Sequence, residues 1–338
     1  MVEGQDIDMS LFQFDYDMSF AMFFMNADKT IYGRFGTRNG NAEESDDEIS
    51  LEGLRESMQA ALALHKGFDK YRSRLIAKAG SPPPQKTPLD FPDLGKKFGE
   101  NVDYNNPKVA TTCLHCHMIH GETRKQLRKG RESFPEPVLY PWPMPDTIGM
   151  HMDPKKRSTV KKVLPNSIAS KAGVKPKDVI LAFNHQPIIS TADLQFVLHN
   201  AGESTRIPLV IRRGGRSLQL TLQLQPAWRR TGDIKWRVST WDLRRMALGG
   251  MVLKRAENNH SGHMELEVTH VGKYGDHRRA MQAGVRKGDA VVGIAGLTSN
   301  IREQDVIHHI LHNTQPGDYI DVRVKRAGRT IDTKFRVQ

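Results

Sequence analysis

The two cysteines of this 338-residue chain lie three positions apart, in Cys113-Leu114-His115-Cys116-His117. Two thiols one helical turn apart can each add to a vinyl group of a haem, and the adjacent histidine then lies under the iron. On that chemistry Cys113 and Cys116 carry the thioether bonds of a haem c and His117 is the proximal ligand. Met144, in Pro141-Trp142-Pro143-Met144-Pro145, is the candidate axial ligand on the other side, with His120, Met150, His151 or an open site as alternatives. The same residues allow other chemistry. CxxC can act as a redox dithiol. Zinc could be held by Cys113, Cys116 and two of His115, His117 and His120, although such sites usually draw their second ligand pair from a distance. The plainest alternative is no cofactor and two free thiols.

The motif and the proline-flanked methionine resemble those of c-type cytochromes. The resemblance implies a short helix from the motif onward and a role in electron transfer or redox sensing. The segment it covers, 94–145, is shorter than a complete domain of that family. A proline-rich linker at 80–93 (GSPPPQKTPLDFPD) precedes it and sets it off as a semi-rigid spacer.

Upstream, Phe12–Met25 and Thr30–Phe35 read as strands joined by the turn residues Asn26-Ala27-Asp28-Lys29. After the acidic run Glu43–Glu48, Ser50 is a helix cap. Leu51, Leu54, Met58, Ala61, Leu62 and His65 then recur at helical spacing. A hairpin and one helix are too little for an independent domain. The stretch 1–79, with its FFMNADKTIYGRFG, resembles the second half of a thioredoxin-like fold without the redox first half. Two expectations follow: that the chain begins inside a longer gene product, or that a degenerate hairpin and helix pack on a neighbour.

The second half is an internal repeat. Ile168–Ile180 (IASKAGVKPKDVI) parallels Arg279–Val291 (RAMQAGVRKGDAV) at an offset of 111. Each copy continues through a strand, a helix ending in Leu-His-Asn, and a hairpin turning at Gly214-Gly215 or Ala327-Gly328. Both copies resemble PDZ domains of the bacterial HtrA type, whose signature is SxAxxAGLxxGDxI. Lys177 stands where the signature has glycine, so that turn is expected to differ. The resemblance implies two PDZ-like, partly open β-barrels with helices, at 146–226 and 245–338, joined by a Trp/Arg-rich connector at 227–244. The expected fold class is therefore multidomain α+β.

PDZ domains take peptide C-termini by strand addition beside a helix. The resemblance implies carboxylate loops at Thr147-Ile148-Gly149-Met150 and Leu248-Gly249-Gly250-Met251. Leu194 and Leu198 would line the first groove, and Val306 and Ile310 the second. Each of these positions is equally explained as core. In the connector, Trp228, Trp236 and Trp241 with nearby arginines are expected to pack as a guanidinium-stacked clamp.

Composition narrows function. The net charge is +12, but residues 1–65 hold 13 acidic against 4 basic residues, a net of −9 that leaves +21 for the rest. Lys and Arg are scattered singly or in pairs, with no nucleic-acid-binding module, so no nucleic-acid partner is expected. No run of about 18 apolar residues exists, which excludes a membrane-spanning helix. There is no GxSGG-type nucleophile loop and no HExxH, so the chain is not expected to be a protease by itself. The leading expectation is an extracytoplasmic, periplasm-type haem-c protein for electron transfer or sensing, with a redox partner, docked through tandem PDZ domains. The alternative is a non-haem PDZ scaffold or protease adaptor with a redox-active or zinc-binding CxxC segment.

Overall fold

The computed structural model describes residues 4–18, 20–36, 49–99, 114–256 and 262–338. Cys113, the run Glu43–Glu48 and most of the Glu257–His263 insertion lie outside the described residues. Intrachain contacts gather the chain into two units. One holds residues 1–122 with 140–236, and the other holds 123–139 with 237–338.

The first unit opens with a hairpin, β1 (Met22–Met25) and β2 (Ile31–Phe35), shorter in its first strand than the aromatic run implied. Helix α1 (Leu51–Lys66) starts where the sequence places it, because the Ser50 hydroxyl accepts the Gly53 N–H. Its buried face is not the expected one. Leu51, Met58 and Leu62 face solvent, and Gly53, Ser57, Ala60, Ala61 and Leu64 face inward. The cause is close approach. A Cβ on Gly53 would overlap the Pro154 carbonyl, and the Ser57 hydroxyl donates to the Ile189 carbonyl at 3.0 Å. Small residues therefore decide the packing. Helices α2 (Phe68–Leu75) and α3 (Pro92–Phe98) follow, and α4 (His117–Lys129) opens one residue after Cys116, with its residues from Thr123 onward assigned to the second unit. The short α5 (Glu136–Leu139) belongs to the second unit.

The first repeat comprises β3 (Met150–Met152), β4 (Val160–Val163), α6 (Ile168–Lys171), β5 (Val179–Phe183), β6 (Gln186–Pro187), α7 (Thr191–His199), β7 (Arg206–Arg213) and β8 (Arg216–Gln223). β3 pairs with β4, and the other strands form a sheet in the order β6-β5-β7-β8. Alternating Ile207, Leu209 and Ile211 face a core shared with Phe183, Leu194, Leu198 and Trp228. The second repeat has α8 (Thr240–Leu248), β9 (Met251–Arg255), β10 (Leu266–Val271), α9 (Arg279–Gln282), β11 (Ala290–Ile294), α10 (Glu303–Asn313), β12 (Tyr319–Arg326) and β13 (Arg329–Arg336). Its sheet is antiparallel in the order β13-β12-β11-β10-β9. The chain is thus a mixed helix-and-sheet protein with PDZ-like sheets.

Both closing hairpins turn where expected. Gly214-Gly215 and Ala327-Gly328 have positive φ at both central residues, the two-residue geometry that matches strand twist. The signature turn is a correction. Lys177 adopts φ 74° and Gly288, its counterpart, φ 88°. The turn is kept in the first repeat, with a lysine held in a conformation that glycine adopts more cheaply.

Candidate peptide-docking edges and the Cys116 segment

The same lock closes the signature loop in both repeats. Asp178 accepts the Lys175 N–H at 2.8 Å and a two-pronged Arg213 guanidinium at 2.7 Å on each oxygen. Asp289 accepts the Arg286 N–H at 2.8 Å and Arg326 at 2.6 and 2.7 Å. Each arginine also donates to a signature-glycine carbonyl, Gly173 or Gly284, at 2.7 Å. Burial alone would push the Asp289 carboxyl up, but the Arg326 and Arg286 hydrogen bonds hold it below the usual range. These arginines sit on β7 and β12, far downstream of the motif, where sequence reading gave them no part. The signal for them is their place directly before a two-residue turn, in Arg212-Arg213-Gly214-Gly215-Arg216 and Lys325-Arg326-Ala327-Gly328-Arg329.

The expected carboxylate loops are built around helix ends. Gly149 has φ 80°, and a Cβ there would overlap Ser167. Its N–H donates to the Asp146 carbonyl at 2.7 Å. In the second repeat Gly249 and Gly250 have φ 58° and 88°, and both N–H groups donate to the Arg244 carbonyl, ending α8. A Cβ on Gly250 would overlap the His277 carbonyl. In this structure the N–H groups of Gly149, Gly249 and Gly250 close the helical turn that precedes each loop. Ile148, Met150, Leu194 and Leu198 are buried in the first core, and Leu248, Met251, Val306 and Ile310 are buried in the second repeat.

The two helices that would flank a docked strand differ sharply. Every residue of α7 from Ala192 to Leu198 is buried. β2 covers one side: the Arg34 guanidinium lies 3.7 Å over the Phe196 ring, and the Arg34 N–H donates to Asp193 at 3.1 Å. Trp142 covers another, stacked on His199 with ring centres 4.5 Å apart, while Gln195 donates to the Trp142 carbonyl. Lys78, fully buried, completes this side with its Nζ 2.8 Å from Asp193. Burial pushes the Lys78 amine down to about 8, against the pull of Asp193. In the second repeat α10 keeps Asp305, His309 and Asn313 at least partly exposed, while His308 lies 3.6 Å from Glu136 and His312 lies 3.1 Å from the Phe134 carbonyl. Among the described residues β9 is the terminal strand of its sheet, with one backbone edge that no described strand pairs. On that edge the Leu253 N–H donates to Glu303 at 2.8 Å, and Glu303 is gripped by Arg244 at 3.0 and 2.8 Å in a buried ion pair.

Two connector tryptophans carry guanidinium groups. Arg229 lies 4.6 Å over Trp228, and Arg244 lies 5.1 Å over Trp241. Trp228 is a core residue of the first repeat whose indole N–H donates to the Gly202 carbonyl.

Around the cysteine motif, Cys116 packs against an apolar cluster of Ile7, Met9, Tyr16, Phe91, Leu94 and Ile119. Burial pushes its thiol up, the setting of an inert thiol rather than a reactive one. His117 opens α4, and its ring stacks on His115 at 5.7 Å. Met144 precedes the turn Pro145–Ile148 in extended backbone. Cys113 lies outside the described residues.

Residues 159–213 match the family model of a PDZ domain. The chain is 30% identical over 144 residues to the periplasmic serine endoprotease DegP of Escherichia coli, covering 43% of this chain and 27% of that one. It is 34% identical over 145 residues to a periplasmic do/HhoA-like serine protease of Haemophilus influenzae, covering 43% and 28%. A crystal structure of the serine endoprotease from Yersinia pestis aligns over 20% of this chain and 25% of that one, with 28% identity and a TM-score of 0.19. The chain therefore spans under a third of the length of these curated relatives. No helix among the described residues is long and apolar enough to cross a membrane. The first repeat thus carries a PDZ domain of the HtrA type.

Proposed function

We propose that this chain is an extracytoplasmic PDZ scaffold or protease adaptor that docks peptide strands on its second repeat. The observation carrying this reading is the contrast between the repeats. The first repeat's helix α7 is enclosed by the chain itself, while β9 offers a terminal edge beside the partly exposed α10. A docked strand would take the Leu253 N–H from Glu303, so docking competes with that hydrogen bond while Arg244 keeps its hold on the carboxylate. The periplasmic names of the relatives support the compartment. Hydrogen–deuterium exchange of the full chain, with and without a peptide ending in an apolar residue, tests the reading. Protection at 249–255 and 303–313, lost when the peptide is amidated, supports it. Protection confined to 149–152 and 191–199, or nowhere, refutes it.

The cysteine motif supplies a second, separate proposal: a haem c that would be held by Cys113, Cys116 and His117, with Met144 as a further candidate ligand, and that would supply electron transfer. What favours it is Cys116 standing directly before the helix that His117 opens. Protein matured beside haem-attachment machinery should then show a Soret band that survives acid–acetone extraction. A colourless product under those conditions removes the haem and leaves the scaffold.

A further inference from the structure

Three metal-ligating side chains that neither reading uses converge in the first unit. Asp15 and Asp17 lie on the segment before β1, and His120 lies on the first turn of α4. His120 Nε2 is 3.9 Å from Asp15 Oδ1 and 3.8 Å from Asp17 Oδ2. One ligand atom from each residue lies within 4.8 Å of the other two. Both carboxylates are buried, and His120 Nε2 is buried with no hydrogen-bond partner among the described residues.

The spacing separates two explanations. A hydrogen-bonded His–Asp pair closes to about 2.7–3.2 Å. Ligand atoms sharing one tetrahedral ion, with bonds of about 2.0–2.2 Å, stand about 3.4 Å apart. The observed distances lie nearer the second value, with the nitrogen set between two oxygens rather than turned to one. The surroundings agree. A dication between two neighbouring carboxylates offsets their mutual repulsion. Asp15 Oδ1 accepts the Asp17 N–H at 3.2 Å, which orients the first carboxylate, and the Tyr16 ring lies 5.5 Å from the imidazole.

We propose that Asp15, Asp17 and His120 form a site for one divalent first-row cation of the Zn²⁺ or Mn²⁺ kind. One imidazole with two carboxylates suits those ions. Three protein ligands leave a position for water. The ion would tie the segment before β1 to the start of α4. The site is distinct from the cysteine motif: Cys116 precedes His120 by one helical turn, but its sulfur is not among the clustered ligand atoms.

Equilibrium dialysis of the full chain against Zn²⁺ and against Mn²⁺, read by elemental analysis, tests this. One equivalent of either ion is expected, with affinity at least about tenfold weaker in Asp17→Asn and His120→Gln and unchanged in Cys116→Ser. Substitution by Co²⁺ gives a readout that needs no variant: oxygen and nitrogen ligands produce no thiolate-to-cobalt charge-transfer band. Uptake of neither ion overturns the site. So does a thiolate band, or binding that survives His120→Gln and disappears in Cys116→Ser.

Discussion

Asp193→Asn is the most informative single substitution in the first unit. Asp193 sits in the first turn of α7, nearly inaccessible, and accepts the N–H groups of Ile189 at 3.0 Å and Arg34 at 3.1 Å. Its carboxylate also faces two buried cations, Lys78 Nζ at 2.8 Å and an Arg34 guanidinium nitrogen at 3.9 Å. Asparagine keeps an acceptor for one of the two backbone donors, which bond different oxygens, and removes the charge, leaving both cations buried without their anion. Breaking a buried pair in this way costs about 3–5 kcal/mol, far more than the pair's net worth against an apolar replacement. Adding Lys78→Met removes one stranded cation, so the double variant should recover about 2 kcal/mol relative to the sum of the single changes. Urea unfolding followed by circular dichroism, with the first unit's transition read through Trp142 and Trp228 fluorescence, measures the cycle. A loss under about 1 kcal/mol for Asp193→Asn, or no coupling to Lys78, would refute the claim that this network fixes the hairpin to α7.

Other outcomes follow from the same contacts. Because burial holds the Lys78 amine at about 8 against an ordinary 10.5, the unfolded chain binds more protons between those values. Stability should therefore rise from about pH 8 toward 10.5 in the wild type relative to Lys78→Met, and parallel pH profiles would contradict it. Lys177→Gly relieves a left-handed lysine worth about 1–2 kcal/mol but adds chain entropy of about 0.5–1 kcal/mol, so a net gain of roughly 0.5 kcal/mol is expected in urea midpoints. A loss would show that Lys177 makes a compensating interaction. Arg326→Lys cannot reproduce the two-pronged grip on Asp289 together with the Gly284 carbonyl. It should cost about 1–2 kcal/mol and return the Asp289 carboxyl toward its ordinary range, as read by the acid limb of the unfolding curve.

The legible parts of this chain share one property: their signals are local. The Ser50 cap, the two-residue hairpin turns and the Ala-Gly and Asp positions of each repeat act over a few residues, where sequence spacing fixes geometry. Apolar periodicity also gave the strands of both repeats. It misjudged α1, because Leu51, Met58 and Leu62 are apolar yet exposed, while glycine, serine and alanine make the contact. Periodicity counts hydrophobicity, whereas close backbone approach to Pro154 and Ile189 selects small size.

The amino-acid sequence alone determined the repeat, its PDZ-like order of elements and the positions that need glycine. Tertiary structure decided which faces remain open. Arg213 and Arg326 meet their aspartates across more than thirty residues, β2 and Trp142 close over α7, and Glu303 reaches the Leu253 N–H on the edge of β9. It also brought Asp15 and Asp17 to His120 across about a hundred residues. Such meetings depend on where independent segments pack, and neither composition nor spacing encodes that distance.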